Sequence, residues 1–330
     1  MSKIVRFQQL GGPENLEFED AAVRQPGEGE MKLRVQAVGL NRAELVYMRG
    51  FYFEQPTLPS RIGYEAAGTV EAVGPGVDQR WLGKQVSTVP GFSQNKYGVL
   101  GEEAIVPAAS VAEYPGKLSP IEGAAIWMQY LTAYGALVMR SAVGPGDFVL
   151  ISAGSSSVGV AAIQIAKTEG ATAIATTRTL EKKAALLSLG ADHVIVTDVE
   201  DLAQRVEEIT GGKGSRVIFD PVGGPFVEKL ADAAAPGGII FEYGALSMQP
   251  TPFPTMPMLA KSLSLRGYTL SEVKSEPETF RKAKQYVLDR LEDGRFVPKI
   301  AKVFSLSQTL EAYRFMQSNK QVGKIVITIA

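Results

Sequence analysis

The stretch Val149-Leu150-Ile151-Ser152-Ala153-Gly154-Ser155-Ser156-Ser157-Val158-Gly159-Val160-Ala161-Ala162 runs from an apolar strand, through a turn of the smallest residues, into an apolar helix. Such a bend lets backbone N–H groups and a helix N-terminus approach a pyrophosphate, with serine hydroxyls as further donors. Ser155, Ser156, Ser157 and Val158 are therefore candidate binding residues. Gly159, one turn into the helix, is expected to permit close packing on the strand. A strict GxGxxG is missing. The match is to the looser AxxGxxG, with Ala153 and Gly159 kept and Ser156 at the central glycine. The alternative is an ordinary serine-capped helix. No Gly-Lys-Ser/Thr follows, which disfavours an ATP-type phosphate loop.

Strand and helix signals alternate on both sides of this turn. Phe148–Ser152, Ala171–Thr176, His193–Val196, Val217–Phe219 and Ile239–Tyr243 read as strands. Between them, Ser157–Thr168, Leu180–Leu189, Glu200–Thr210 and Pro225–Ala235 read as helices, which implies a parallel sheet covered on both faces. Upstream, Ile121–Met139 has helical spacing. Before about Pro120 the chain is β-rich: Ile4–Phe7, Met31–Val38, Ala66–Val73, Gln85–Val89 and Glu103–Val106 are short runs separated by Gly/Pro turns. After about Tyr268 come two helical stretches, Pro277–Asp293 and Ser307–Ser318, and a closing strand, Lys324–Ile329.

Composition narrows the chemistry. A formal net charge of −1 over 330 residues supplies no basic field for nucleic acid or an anionic membrane, so catalysis on a small molecule fits better. No run approaches the roughly 20 apolar residues that span a bilayer, and a cytoplasmic setting is expected. With no cysteine, disulfides, thiolate nucleophiles and Cys-ligated metals are excluded; with one histidine, His193, a His-rich metal site is excluded too. His193 lies at a helix-to-strand turn, where a structural or surface role is expected.

Ordered motifs then carry a resemblance. They are Gly39-Leu40-Asn41-Arg42-Ala43-Glu44 with Arg49-Gly50, Gly63-Tyr64-Glu65-Ala66-Ala67-Gly68-Thr69-Val70, the turn at Ser152–Ala162, Phe219-Asp220-Pro221-Val222-Gly223-Gly224, and Leu265-Arg266-Gly267-Tyr268. Together they resemble the medium-chain dehydrogenase/reductase superfamily, in its zinc-independent quinone oxidoreductase-like branch. The resemblance implies an α/β fold: a GroES-like β-rich catalytic domain from residues 1–121 and 267–330, and a doubly wound Rossmann cofactor domain over residues 122–266. Zinc-dependent relatives carry a cysteine near Leu40-Asn41 and a histidine where Tyr64 stands. This chain has neither, so no catalytic zinc is expected.

The resemblance also implies a nicotinamide dinucleotide. After the second strand of a Rossmann unit an NAD enzyme presents an acid to the ribose; here Thr177 takes that place, with Arg178 beside it and Lys182 a turn further on. Two cations suit an extra phosphate, so NADPH is expected over NADH. The resemblance places Asn41, Gln129 and Thr132 near the nicotinamide, with backbone at Val222, Tyr243, Gly244 and Ala245 lining the pocket. Tyr52 matches a tyrosine that related enoyl reductases use near the acceptor, as proton donor or as pocket wall. Tyr47, Tyr64 and Trp127 could add to an apolar slot. The expected reaction is hydride transfer to a quinone or an α,β-unsaturated carbonyl by a homodimer. The alternatives are metal-free NAD(P)-linked alcohol/carbonyl interconversion and a non-enzymatic NADPH-binding protein.

Overall fold

The computed structural model describes residues 1–329. The chain forms two compact units, one of residues 1–128 with 298–330 and the other of residues 129–297. The first holds β1 (Ser2–Phe7), β2 (Leu16–Ala21), β3 (Glu30–Gly39), β4 (Ser60–Arg61), β5 (Glu65–Val73), β6 (Gln85–Thr88), β7 (Glu103–Pro107) and β8 (Val111–Glu113). The second holds β9 (Phe148–Ile151), β10 (Thr172–Thr177), β11 (His193–Val196), β12 (Ser215–Asp220), β13 (Ala234–Glu242) and β14 (Ser264–Gly267). The chain end then adds β15 (Ile300–Ser305) and β16 (Lys324–Thr328) to the first unit.

In the second unit all six strands are parallel, in the order β11-β10-β9-β12-β13-β14. Order reverses between β9 and β12, the switch point at which doubly wound sheets bind ligands beyond the strands' carboxyl ends. Leu150, Ile174, Ile195, Ile218 and Ile240 form one buried layer with Leu202, Val206 and Leu230 from two helices. The alternate residues Val149, Ile151, Ala173, Val217 and Phe219 are buried as well. A strand covered on both faces needs apolar residues at every position, which is why these runs are continuous rather than alternating.

The first unit is mostly antiparallel. Its larger sheet runs β15-β16-β3-β5-β6-β8, with β7 also paired to β3; a smaller one runs β2-β1-β4. Phe7, Leu33, Val35, Tyr47, Tyr313 and Ile327 share its core. The strand β2, Leu-Glu-Phe-Glu-Asp-Ala, carries three acids and is largely exposed, so its pattern is too weak to read from sequence.

Two expectations need revision. The helical run Ile121–Met139 is broken into Pro120–Gly123, Trp127–Tyr134 and a wider-turned segment, Gly135–Arg140. The break has a local cause: the Trp127 and Met128 amides donate to the Glu65 carboxylate at 2.6 and 3.1 Å, so a new helix starts there. The boundary read at residue 267 falls at 298 instead. Residues 267–297 pack on the Rossmann unit: Phe296 stacks on Tyr130 with centroids 4.7 Å apart, and the Tyr286 hydroxyl donates to Glu169 at 2.6 Å.

Candidate active site

The turn after β9 is closed by its own backbone. The Gly154 amide donates to the Thr176 carbonyl and the Ser156 amide to the Ala153 carbonyl, both at 2.9 Å. Ala153 lies in the left-handed region at φ 47°, a conformation costly for a residue with a Cβ. Neither glycine has room for a side chain. A Cβ at Gly154 would stand 2.9 Å from the Ala175 Cβ, and one at Gly159 would stand 2.7 Å from the Ala153 carbonyl oxygen. Gly159 thus packs against the turn itself rather than the strand. The Ser156 hydroxyl caps the helix by accepting the Gly159 amide at 3.0 Å, which leaves its own proton to give. Ser157 and Val158 occupy the first helical turn, where amides lack intrahelical acceptors.

Lys182 reaches this turn directly: its Nζ donates to the Ser155 hydroxyl at 3.0 Å. It ends a short 3₁₀ turn, Leu180–Lys182, rather than lying inside the continuous helix expected over 180–189. Burial lowers its pKa, and the nearby Arg178 guanidinium adds to the fall. Arg178 is exposed, while Thr177 is buried at the end of β10. Lys182 therefore touches the turn, and Arg178 lies close enough to Lys182 to lower its pKa.

At the switch point the Ser152 hydroxyl donates to the Asp220 carboxylate, joining the ends of β9 and β12. Asp220 also accepts the Gly223 and Val222 amides at 2.7 and 3.1 Å. Beyond it, the Ser247 amide donates to the Val222 carbonyl, so the loops carrying Val222 and Tyr243–Ala245 form one rim. The Tyr243 ring stacks on Phe219 with centroids 3.9 Å apart, and its hydroxyl is buried on the side of Ser156. Gln129 and Thr132, three apart on one helix, are both buried, and the Gln129 Oε1 has no donor.

Glu242 is a site group that sequence reading missed. It is the register partner of Asp220 on the neighbouring parallel strand, and neither of its buried carboxylate oxygens meets a donor. Burial raises its pKa and the Asp220 charge raises it further. Asp220 already accepts three donors, so the proton the pair retains sits on Glu242. Its only signal in the sequence is an acid inside the apolar run Ile239-Ile240-Phe241-Glu242.

In the first unit, Asn41 caps the helix Arg42–Met48 in a reciprocal box with Glu44. Its side chain is committed internally. Nδ2 donates to the Gly39 carbonyl at 3.1 Å and Oδ1 accepts Lys324 Nζ at 2.7 Å. Lys324 also meets Glu65 at 2.6 Å, both side chains having no exposed surface. The Glu44 carboxylate accepts the Tyr313 hydroxyl at 2.7 Å. Lys324 and Glu65 were also missed as site-forming groups; each is a charge set in an apolar run. Tyr47 and Trp127 are core residues, bonded to Ser60 and Ser87 respectively, and do not form a slot. Tyr52 is half-buried among Phe53 and Tyr64, at 5.0 and 6.2 Å. Burial raises its phenol pKa, the Tyr64 hydroxyl opposes, and the Glu44 and Glu54 charges add to the rise. Tyr52 therefore keeps its proton at neutral pH. His193 is exposed at the start of β11.

Comparison with known proteins places these units. Residues 27–116 match the alcohol dehydrogenase GroES-like domain, and residues 157–288 the zinc-binding dehydrogenase domain. The chain is 31% identical to the quinone oxidoreductase of Pseudomonas aeruginosa over 99% of both chains. It belongs to the medium-chain dehydrogenase/reductase superfamily, in its quinone oxidoreductase-like branch. It is also 31% identical to a 2-haloacrylate reductase of a Burkholderia species, over 96% of each. The solved structure of Escherichia coli quinone oxidoreductase complexed with NADPH superposes with a TM-score of 0.89, at 28% identity and 99% coverage of both chains. Members of this branch are oxidoreductases, and this chain is one of them. Among the described residues no helix is long and apolar enough to cross a membrane.

Two results are expected from these networks. Lys324→Met leaves Glu65 buried without its cation and should cost about 3–5 kcal/mol in urea unfolding; adding Glu65→Gln should recover most of that loss. The Glu242 carboxyl has a folded-state pKa raised to about 9, so the stability its proton contributes is full below the ordinary glutamate range and falls away as pH climbs from there toward 9. Glu242→Gln should therefore melt progressively higher than the parent between about pH 5 and about pH 8; parallel melting curves would remove the shared proton.

Proposed function

We propose that the chain is a cytoplasmic, zinc-independent, NADPH-dependent reductase of quinones or α,β-unsaturated carbonyls. The observation that carries this reading is the Lys182–Ser155 bond beside Arg178. It puts two cations next to a turn that has amides to offer, at the position where an NAD enzyme presents an acid. The E. coli relative complexed with NADPH supports the same cofactor. The residues present fit the dinucleotide. The side-chain-free approach at Gly154 and Gly159 suits a pyrophosphate, and the orphaned Gln129 Oε1 suits a carboxamide N–H. Thr132, Val222, Tyr243, Gly244, Ala245 and Asn41 complete the proposed contacts.

When bound, the reduced nicotinamide supplies the hydride. The chain's own task is to hold the acceptor and meet the negative charge that develops on its oxygen. Tyr52, which keeps its proton at neutral pH, is the proposed donor to that oxygen. The ligand inventory supports the zinc-independent reading: the chain has no cysteine, and its one histidine is exposed. The 2-haloacrylate reductase and quinone oxidoreductase relatives support an activated C=C or a quinone as acceptor. A homodimer belongs to the same proposal. The strand β14 ends the parallel sheet, and Met256 and Leu259 on the preceding helix are 74% and 72% exposed. A doubled mass in light scattering is the expected result.

Steady-state oxidation of NADPH with a panel of quinones, enones and aldehydes tests the activity. Quinones or enones should drive consumption and aldehydes should not. Arg178→Ala should lower kcat/KM for NADPH by about tenfold or more and leave NADH use nearly unchanged, as expected for losing a charged contact to phosphate. Tyr52→Phe should reduce kcat by about 100-fold if the hydroxyl gives the proton; a normal kcat would make Tyr52 a wall of the pocket.

A further inference from the structure

The first unit contains a cavity of about 340 Å³ that takes no part in the proposed reaction, and four cationic side chains line it. Arg6 on β1 and Arg61 on β4 are direct register partners across an antiparallel pair. Like charges so placed repel and need something between them. Arg24, from the segment after β2, and Lys96, from the short helix Gln94–Tyr97, add two more positive charges.

Carboxylates offset part of this: Glu19 and Glu30 each pair with one of the four cations, and the Glu54 carboxylate is held by Ser93, Gln94 and Asn95. Arg6 pairs with Glu19 at 3.1 Å, and Arg24 is held by both oxygens of Glu30 at 2.5 and 2.8 Å. Among the described residues Arg61 has no carboxylate partner, and its Nη2 donates to the Glu103 backbone carbonyl at 3.0 Å. Lys96 makes no ion pair among the described residues either. The Nε groups of both Arg6 and Arg61 are buried without an acceptor. Asn95, which also lines the cavity, cannot provide one, because its Oδ1 already accepts the Thr57 amide and the Tyr47 hydroxyl at 2.6 and 2.8 Å. Burial lowers the Arg61 pKa to about 10, the Arg6 charge adds to the fall and Glu19 opposes it.

We propose that this cavity is a binding site for a phosphate-class dianion, held between Arg6 and Arg61 with Lys96 as the third cation. Arg61 and Lys96, the two cations with no carboxylate partner among the described residues, match a dianion. The forked guanidinium groups of Arg6 and Arg61 match the oxygens of a phosphoryl head. Inorganic phosphate and a phosphomonoester present that same head. The site is separate from the phosphate turn after β9, which lies in the other unit.

The test is calorimetric titration of the full chain, saturated with NADPH, in a phosphate-free buffer at constant ionic strength. Inorganic phosphate and glycerol 3-phosphate are titrated side by side. One saturable site per chain is expected. Lys96→Glu should weaken it about tenfold and Arg61→Gln at least as much, while far-UV circular dichroism of Lys96→Glu stays unchanged. Tighter binding of the ester assigns the rest of the cavity to an organic body, and equal binding assigns the ion itself; both support the site. An absence of saturable heat with either anion would overturn it, as would binding that neither variant weakens.

Discussion

The closeness of backbone to backbone at the bend after β9 is the constraint on which the rest depends. Side chains cannot be added at Gly154 or Gly159 without striking neighbouring atoms, and Ala153 is held in a left-handed conformation to make the bend. The result is a helix that begins immediately beyond a strand, with the Ser157 and Val158 amides free of intrahelical acceptors. The Ser152–Asp220 bond ties this bend to the next strand at the sheet's switch point, so the rim loops start from a fixed base. What the bend offers a ligand is mainly backbone, and Lys182, bonded to Ser155, sets a positive charge beside it.

The first unit solves a different problem. This chain buries Lys324 against Glu65 and Asn41, and Glu44 against Tyr313. Those charges are expensive to bury and tolerable because each has a close partner. The network consumes most of the Asn41 side chain, so Asn41 is first a structural cap and its proposed contact with nicotinamide must use what remains. Tyr52 stands outside this network among aromatic rings, with a hydroxyl that keeps its proton.

Much of this was legible in the sequence because parallel strands buried on both faces write themselves as apolar runs. The helix Ser157–Thr168 and the strand His193–Val196 were read to the residue. Legibility failed where a distant group decides the local outcome. Nothing between residues 121 and 139 shows that Glu65 will take two amides and break the helix. Nothing after residue 267 shows that Phe296 will find Tyr130. The strand-to-helix bend was readable because the residues that make it are adjacent in sequence. The Asp220–Glu242 and Lys324–Glu65 pairs were not, because each forms across strands far apart in sequence, and a lone charge in an apolar run says that a partner exists without naming it.

Calorimetric titration of the unmodified chain with NADPH and with NADH tests the central claim most directly. The account predicts one NADPH site per chain, with NADH at least tenfold weaker, about 1.4 kcal/mol or more, for want of the phosphate that Arg178 and Lys182 would meet. Equal affinity for the two would contradict the assignment of those cations, and heat from neither would contradict the reading of the bend itself.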